Sequence, residues 1–130
     1  MTRIQHVALW THDIERLAAF YARHFGAAVG ERYVNAARGF ASRFLSFEDG
    51  ARLEVMSSAQ LQPATPEPGS ERVGLAHLAL SVGSPRRVDE LTAQLRAAGC
   101  AVVGEPRRTG DGYYESVVLD PDGDRIEITV

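Results

Sequence analysis

Lysine is absent from this 130-residue chain, in which all 14 basic residues are arginine. That excludes Schiff-base catalysis on an internal lysine, attachment of pyridoxal phosphate, and a P-loop, whose grip on phosphate needs that side chain. Cysteine is nearly absent as well. A lone thiol, Cys100, supports neither a disulfide framework nor a cysteine zinc site, and a reducing cytoplasm is the expected location. No apolar run approaches the roughly 20 residues of a membrane span, and no basic start followed by an apolar stretch marks a leader. Positive charge is not in excess. The net charge of −3 calls for neither nucleic acid nor an anionic membrane as partner. With 45% hydrophobic and 24% charged residues, the chain has the composition of a globular domain able to bury a core without staples.

What the chain does have is a repeat. Gln5-His6-Val7-Ala8-Leu9 returns as Ala76-His77-Leu78-Ala79-Leu80, and Asp49-Gly50-Ala51-Arg52-Leu53-Glu54-Val55 returns as Asp122-Gly123-Asp124-Arg125-Ile126-Glu127-Ile128. Gly26 and Gly99 each end an amphipathic stretch, and each lies 28 residues before its glutamate, Glu54 or Glu127. Three markers in order at matched spacing describe a duplicated unit. Each unit reads as strand, helix and three strands, an α+β class with two βαβββ modules. Asp13 and Ser84 are the expected helix N-caps, with Pro85 at the first helical position. Further strands are expected near 29–34, 40–47, 52–56, 101–107, 113–119 and 125–130. The whole of 1–130 is taken as one domain, made of a first module 1–56, a proline-bearing linker 57–72 and a second module 73–130.

Side chains alternate across a strand, so parity assigns each to a face. Val7 and Leu9, Leu53 and Val55, Leu78 and Leu80, and Ile126 and Ile128 form the aliphatic faces that the helices must cover. His6, Glu54, His77 and Glu127 then all project from the opposite faces. One histidine or glutamate on the polar side of a strand is ordinarily just solvated. The same residue type at the same place in both copies is a different matter: two imidazoles and two carboxylates on rigid strands suit a divalent metal ion. His12 and His24 flank the first helix and are read as capping or surface residues, His24 as a cation suited to the helix dipole. Cys100 reads as small buried filler, with a reactive thiol as the lesser alternative. Trp10, Phe40 and Phe44 are read as core, with an aromatic cavity wall as the alternative, and Arg43, Tyr113, Tyr114 and Glu115 as residues either facing a cavity or turned away from it.

The strings 5–9, 74–82 (Gly74-Leu75-Ala76-His77-Leu78-Ala79-Leu80-Ser81-Val82) and 119–127 (Leu119-Asp120-Pro121-Asp122-Gly123-Asp124-Arg125-Ile126-Glu127) are together similar to the vicinal oxygen chelate superfamily. Glyoxalase I, extradiol dioxygenases, fosfomycin-resistance enzymes and bleomycin-binding proteins make up that group. The resemblance implies paired modules with mixed sheets curled into a metal-holding cup. It implies His6, Glu54, His77 and Glu127 as ligands of one divalent ion, whether nickel, zinc, manganese, iron or cobalt. Two histidines with two glutamates resemble glyoxalase I. The implied activity is that of a lactoylglutathione lyase-like enzyme, moving a proton on a small substrate chelated through vicinal oxygens. Glu127 is the implied base, with Glu54 next, and the implied assembly is a homodimer. A bleomycin-type small-molecule binder and an extradiol-type dioxygenase are the alternatives. One departure stands out: where glyoxalase I places an arginine for the glutathione carboxylate, this chain has Trp10, which puts glutathione in question.

Overall fold

The computed structural model describes residues 1–63, 71 and 73–130. The chain divides into two compact units, residues 1–64 and 65–130. The first contains β1 (His6–Trp10), α1 (Ile14–Phe25), β2 (Ala28–Val29), β3 (Tyr33–Asn35), a 3-10 turn (Ala36–Arg38), β4 (Phe40–Ser46) and β5 (Arg52–Ser58). The second contains β6 (Leu78–Ser81), α2 (Pro85–Ala97), β7 (Val102–Arg108), β8 (Tyr114–Leu119) and β9 (Arg125–Thr129). This is an α+β architecture with a mixed sheet in each unit.

Both helices start where capping chemistry dictates. The Asp13 carboxylate accepts from the Arg16 amide at 3.0 Å, and the Ser84 hydroxyl accepts from the Arg87 amide at 3.2 Å. Each cap satisfies a donor that the first helical turn leaves without a partner. Helix α1 stops at Gly26, whose φ of 69° turns the chain so that the Ala27 amide reaches back to the Tyr21 carbonyl at 3.2 Å. Ile14, Leu17, Ala18 and Tyr21 are buried on one stripe, against Leu45, Leu53 and Val55 of the sheet. In the second unit Val88, Leu91 and Leu95 meet Val118, Ile126 and Ile128, all with 1% exposure or less. Each fully buried aliphatic side chain contributes about 1.5–3 kcal/mol, so these stripes hold the helices to the sheets.

The sheet orders are matched. In the first unit the order is β1-β5-β4-β2, with β3 also on β4, and in the second it is β6-β9-β8-β7. In each, the first strand lies parallel to the last and the remaining pairs are antiparallel. The expected strand over 29–34 is instead two short strands. Between them the Gly30 amide donates to the Phe44 carbonyl at 2.8 Å, and Arg43 Nη1 donates to the Gly30 carbonyl at 2.8 Å. A Cβ at Gly30 would stand 3.1 Å from the Phe44 carbonyl oxygen, a crowded contact that the missing side chain avoids. The second unit keeps one strand, β7, and takes up the irregularity as register shifts around Gly104. The expected linker over 57–72 begins later than its composition suggests. Ser57 and Ser58 pair with Ala41 and Phe40 in β5, and residues 64–70 and 72 of that segment lie outside those described. Among the described residues no helix is long and apolar enough to cross a membrane.

Candidate functional site

Register places the sequence-predicted residues on one face of each sheet. Ala8 lies beside Glu54 in the parallel pair, so His6, two residues earlier on β1, shares the face of Glu54. Ala79 lies beside Glu127 in the same way, and His77, one residue before β6 begins, shares its face. The imidazole and carboxylate meet in both units. His6 Nε2 is 3.6 Å from Glu54 Oε1, and His77 Nε2 is 3.2 Å from Glu127 Oε2. Both carboxylates are largely covered, and both imidazoles keep a more open edge.

These separations suit two ligands of one ion. Donors about 2.1 Å from a metal stand about 3.0 Å apart in neighbouring octahedral positions and about 3.4 Å apart in a tetrahedron. The His77–Glu127 pair is within about 0.2 Å of either spacing, whereas the His6–Glu54 pair is within about 0.2 Å of the tetrahedral spacing and about 0.6 Å beyond the octahedral one. The His6 ring is further held by an edge contact with Phe44 (5.4 Å between centroids), and His6 Nδ1 is bonded to the Gln5 side-chain oxygen. A donor at Nδ1 leaves Nε2, the nitrogen facing Glu54, with the free lone pair that a metal needs. Among the described residues no group of three or more His, Cys, Asp or Glu side chains is placed so that it could hold a metal ion. Each pair is thus two donors of the four-donor set expected from the sequence.

A further carboxyl stands in the second unit. Val117 lies opposite Glu127, so Glu115, two residues away on β8, shares that face. Partial burial, and then a hydrogen bond to Glu127, push the Glu115 carboxyl above the ordinary value, with Arg107 opposing. The corresponding residue of the first unit is Ser42, opposite Met56. The sequence allows Glu115 either face, and the alternation of β8 carries the signal that decides it: Ser116 and Val118 are buried toward α2, so residues 115 and 117 must face the other way.

The other candidates separate by the same parity. Arg43 turns to the helix side, where its Nε donates to Glu15 of α1 at 2.9 Å and so holds that carboxyl below its ordinary value. Tyr114 also turns to its helix, donating to Asp89 at 2.6 Å, and Tyr113 is exposed just before β8. Trp10, Phe40 and Phe44 do not join the core. They stand on the face of His6 and Glu54, with Trp10 51% exposed. His24 is held below its ordinary pKa, first by burial and then by Arg23, so it is a poor cation for the helix end. Cys100 is only half-buried, and desolvation raises its thiol pKa, which works against thiolate formation.

A family model described as the Glyoxalase/Bleomycin resistance protein/Dioxygenase superfamily matches residues 3–128. Two Bacillus subtilis proteins, both described as uncharacterized, are similar along nearly their whole length. YwkD is 31% identical over 92% of this chain and 89% of its own, and YqjT is 28% identical over 96% of each. Among solved structures, the trypanothione-dependent glyoxalase I of Leishmania major superposes with a TM-score of 0.78 at 22% identity, over 99% of this chain and 86% of its own. At that identity the likeness is one of fold.

Proposed function

Because this chain belongs to the glyoxalase/bleomycin resistance protein/dioxygenase superfamily, we propose that it is a metal-dependent, glyoxalase-type enzyme that moves a proton on a small substrate carrying vicinal oxygens. The observation that supports this reading is the recurrence of one His–Glu contact, at 3.6 Å and 3.2 Å, on the same strands of both units. His6, Glu54, His77 and Glu127 would hold the ion, two from each kind of module. The modules come from one chain or from the two chains of a homodimer.

A divalent ion (nickel, zinc, manganese, iron or cobalt) supplies Lewis acidity toward a substrate carbonyl when bound, and acidifies the neighbouring C–H. The chain's own part is proton handling. Glu127 takes the proton from that carbon onto a carboxylate oxygen and returns it to the adjacent carbon, an isomerisation with no net oxidation. Glu54 is the second choice for this role. Strand placement keeps both carboxylates in position without loop motion, and the partial cover over them limits exchange of the transferred proton with water. The lone thiol supports a cytoplasmic location.

Metal stoichiometry tests the reading. Dialysis against nickel, zinc, manganese or ferrous iron should load one ion per four-donor set, and His6→Ala or His77→Ala should weaken loading at least tenfold. A protein that takes up none of these ions refutes the enzyme reading and favours a small-molecule binder. That second reading draws its support from the exposed aromatic rings beside His6 and Glu54. Ferrous-specific oxygen uptake with a catechol would instead indicate a dioxygenase. With methylglyoxal and glutathione we expect no product above background, since Trp10 offers no charge to a glutathione carboxylate.

A further inference from the structure

The two units share the His–Glu pair and differ in what stands next to it. In the first unit the neighbouring rung pairs Trp10 with Met56, and Phe40, Ser42 and Tyr33 lie on the same face. In the second, Ser81 pairs with Thr129, and Glu115 takes the place of Ser42. One flank is aromatic and the other polar, although both began as the same sequence unit.

The aromatic flank is built as an open wall. Phe40 stands edge-on to Trp10, with centroids 6.3 Å apart and planes at 88°, and it meets Tyr33 at 6.2 Å and 60°. The Arg38 guanidinium lies 5.8 Å from the Phe40 centroid and holds that ring from a further side. Phe40 is half-buried, whereas Trp10 is 51% and Tyr33 57% exposed. These two rings thus present free surface, held at fixed angles by the ring between them. Among the described residues, no charged side chain apart from Arg38 takes part in the cluster's ring contacts. The rung of Trp10 and Met56 is two residues from that of Ala8 and Glu54, a rise of about 6.5 Å. That is the reach of an aryl group joined directly to a carbon whose oxygens sit at the donor pair.

Resting on the metal reading above, we propose that the substrate carries an aryl group on its vicinal-oxygen unit, and that Trp10, Phe40 and Tyr33 receive it. Ligand sites combine apolar and aromatic walls with a few fixed polar groups, and this face has both in adjacent rungs. Edge-to-face ring contacts add affinity beyond the area they bury, so the wall selects an aryl substituent over a methyl one.

Mandelate and lactate, α-hydroxy acids that differ only in phenyl against methyl, make a matched probe pair. Calorimetry on the nickel-loaded protein should show mandelate binding about tenfold tighter than lactate. Trp10 is the chain's one tryptophan, so its emission reports directly on the wall, and mandelate should change it while lactate should not. In Trp10→Leu and, separately, Phe40→Leu, the preference should fall to within about threefold, with nickel affinity and far-UV circular dichroism unchanged. Equal binding of the two acids by the nickel-loaded wild type overturns the aryl assignment and leaves the metal reading standing. An undiminished preference in both variants also overturns it, as does Trp10 emission that responds neither to mandelate nor to acrylamide, which would mean that protein covers the ring. Failure to load nickel overturns the metal reading itself, and the aryl assignment with it.

Discussion

Thr92 on α2 and Ser116 on β8 are both 1% exposed, and their hydroxyl oxygens lie 2.7 Å apart. Thr92 also donates to the Val88 carbonyl one turn back, at 2.6 Å. A hydroxyl has one hydrogen, so if Thr92 spends its own on Val88, Ser116 must donate to Thr92. This ordering makes the two deletions unequal. Ser116→Ala removes one buried hydrogen bond and leaves the Thr92 hydrogen satisfied, costing about 1 kcal/mol. Thr92→Val keeps the volume but leaves the Ser116 hydroxyl buried without an acceptor, costing about 2–3 kcal/mol. In the double variant no orphaned donor remains, so its cost should be smaller than the sum of the two, by about 1 kcal/mol or more. Urea unfolding checks this through the midpoints, with the slope m unchanged. Additive costs, or a Ser116→Ala change more damaging than Thr92→Val, would refute the donor ordering. The contact matters for the site because β8 also carries Glu115 on its other face, so the hydroxyl pair fixes the strand beneath that carboxyl.

Three further outcomes follow from the same geometry. Glu127→Gln keeps the side-chain shape and an oxygen donor but removes the base, so turnover should be lost while far-UV circular dichroism and most metal binding persist; retained turnover would remove Glu127 from its role. The raised Glu115 pKa means the folded state holds that proton more tightly than the unfolded chain. Stability should therefore fall as pH rises from the ordinary glutamate value through the raised one. Glu115→Gln should abolish that fall and be the more stable protein above the window, whereas superimposable pH–stability curves from urea melts would contradict it. Asp13→Ala removes the α1 cap and should cost about 1 kcal/mol in the same assay, with Asp13→Ser restoring most of it.

Much of this was legible in the sequence because the information is periodic. The duplication fixes equivalent positions, and strand parity alone puts His6 with Glu54 and His77 with Glu127. Where parity was set aside, the reading went astray. Trp10, Phe40 and Phe44 look like core by composition, yet they alternate with the half-buried Leu9 and the buried Ala41 and Leu45 and so must face away from the helix. Arg43 alternates the other way and spends its guanidinium on Glu15 and Gly30. Less was legible where the chain departs from regular structure. Nothing periodic announces the break at Gly30, which depends on a close approach to the Phe44 carbonyl from another strand. Glu115 lay between the two cases, since its face follows from Ser116 and Val118, but its contact with Glu127 requires the register of β8 on β9.

The parallel pairing of first and last strands has a bearing on how each module closes. His6 and Glu54 are 48 residues apart in the chain, and His77 and Glu127 are 50 apart. They become neighbours only when the final strand slides in beside the first. That seam spans the longest loop in its module and carries the greatest entropic penalty of any pairing there. An ion gripping both sides would clasp it shut. Stripping the ion should then loosen the two edge strands, β1 and β6, ahead of the helices, as early deuterium uptake confined to those edges.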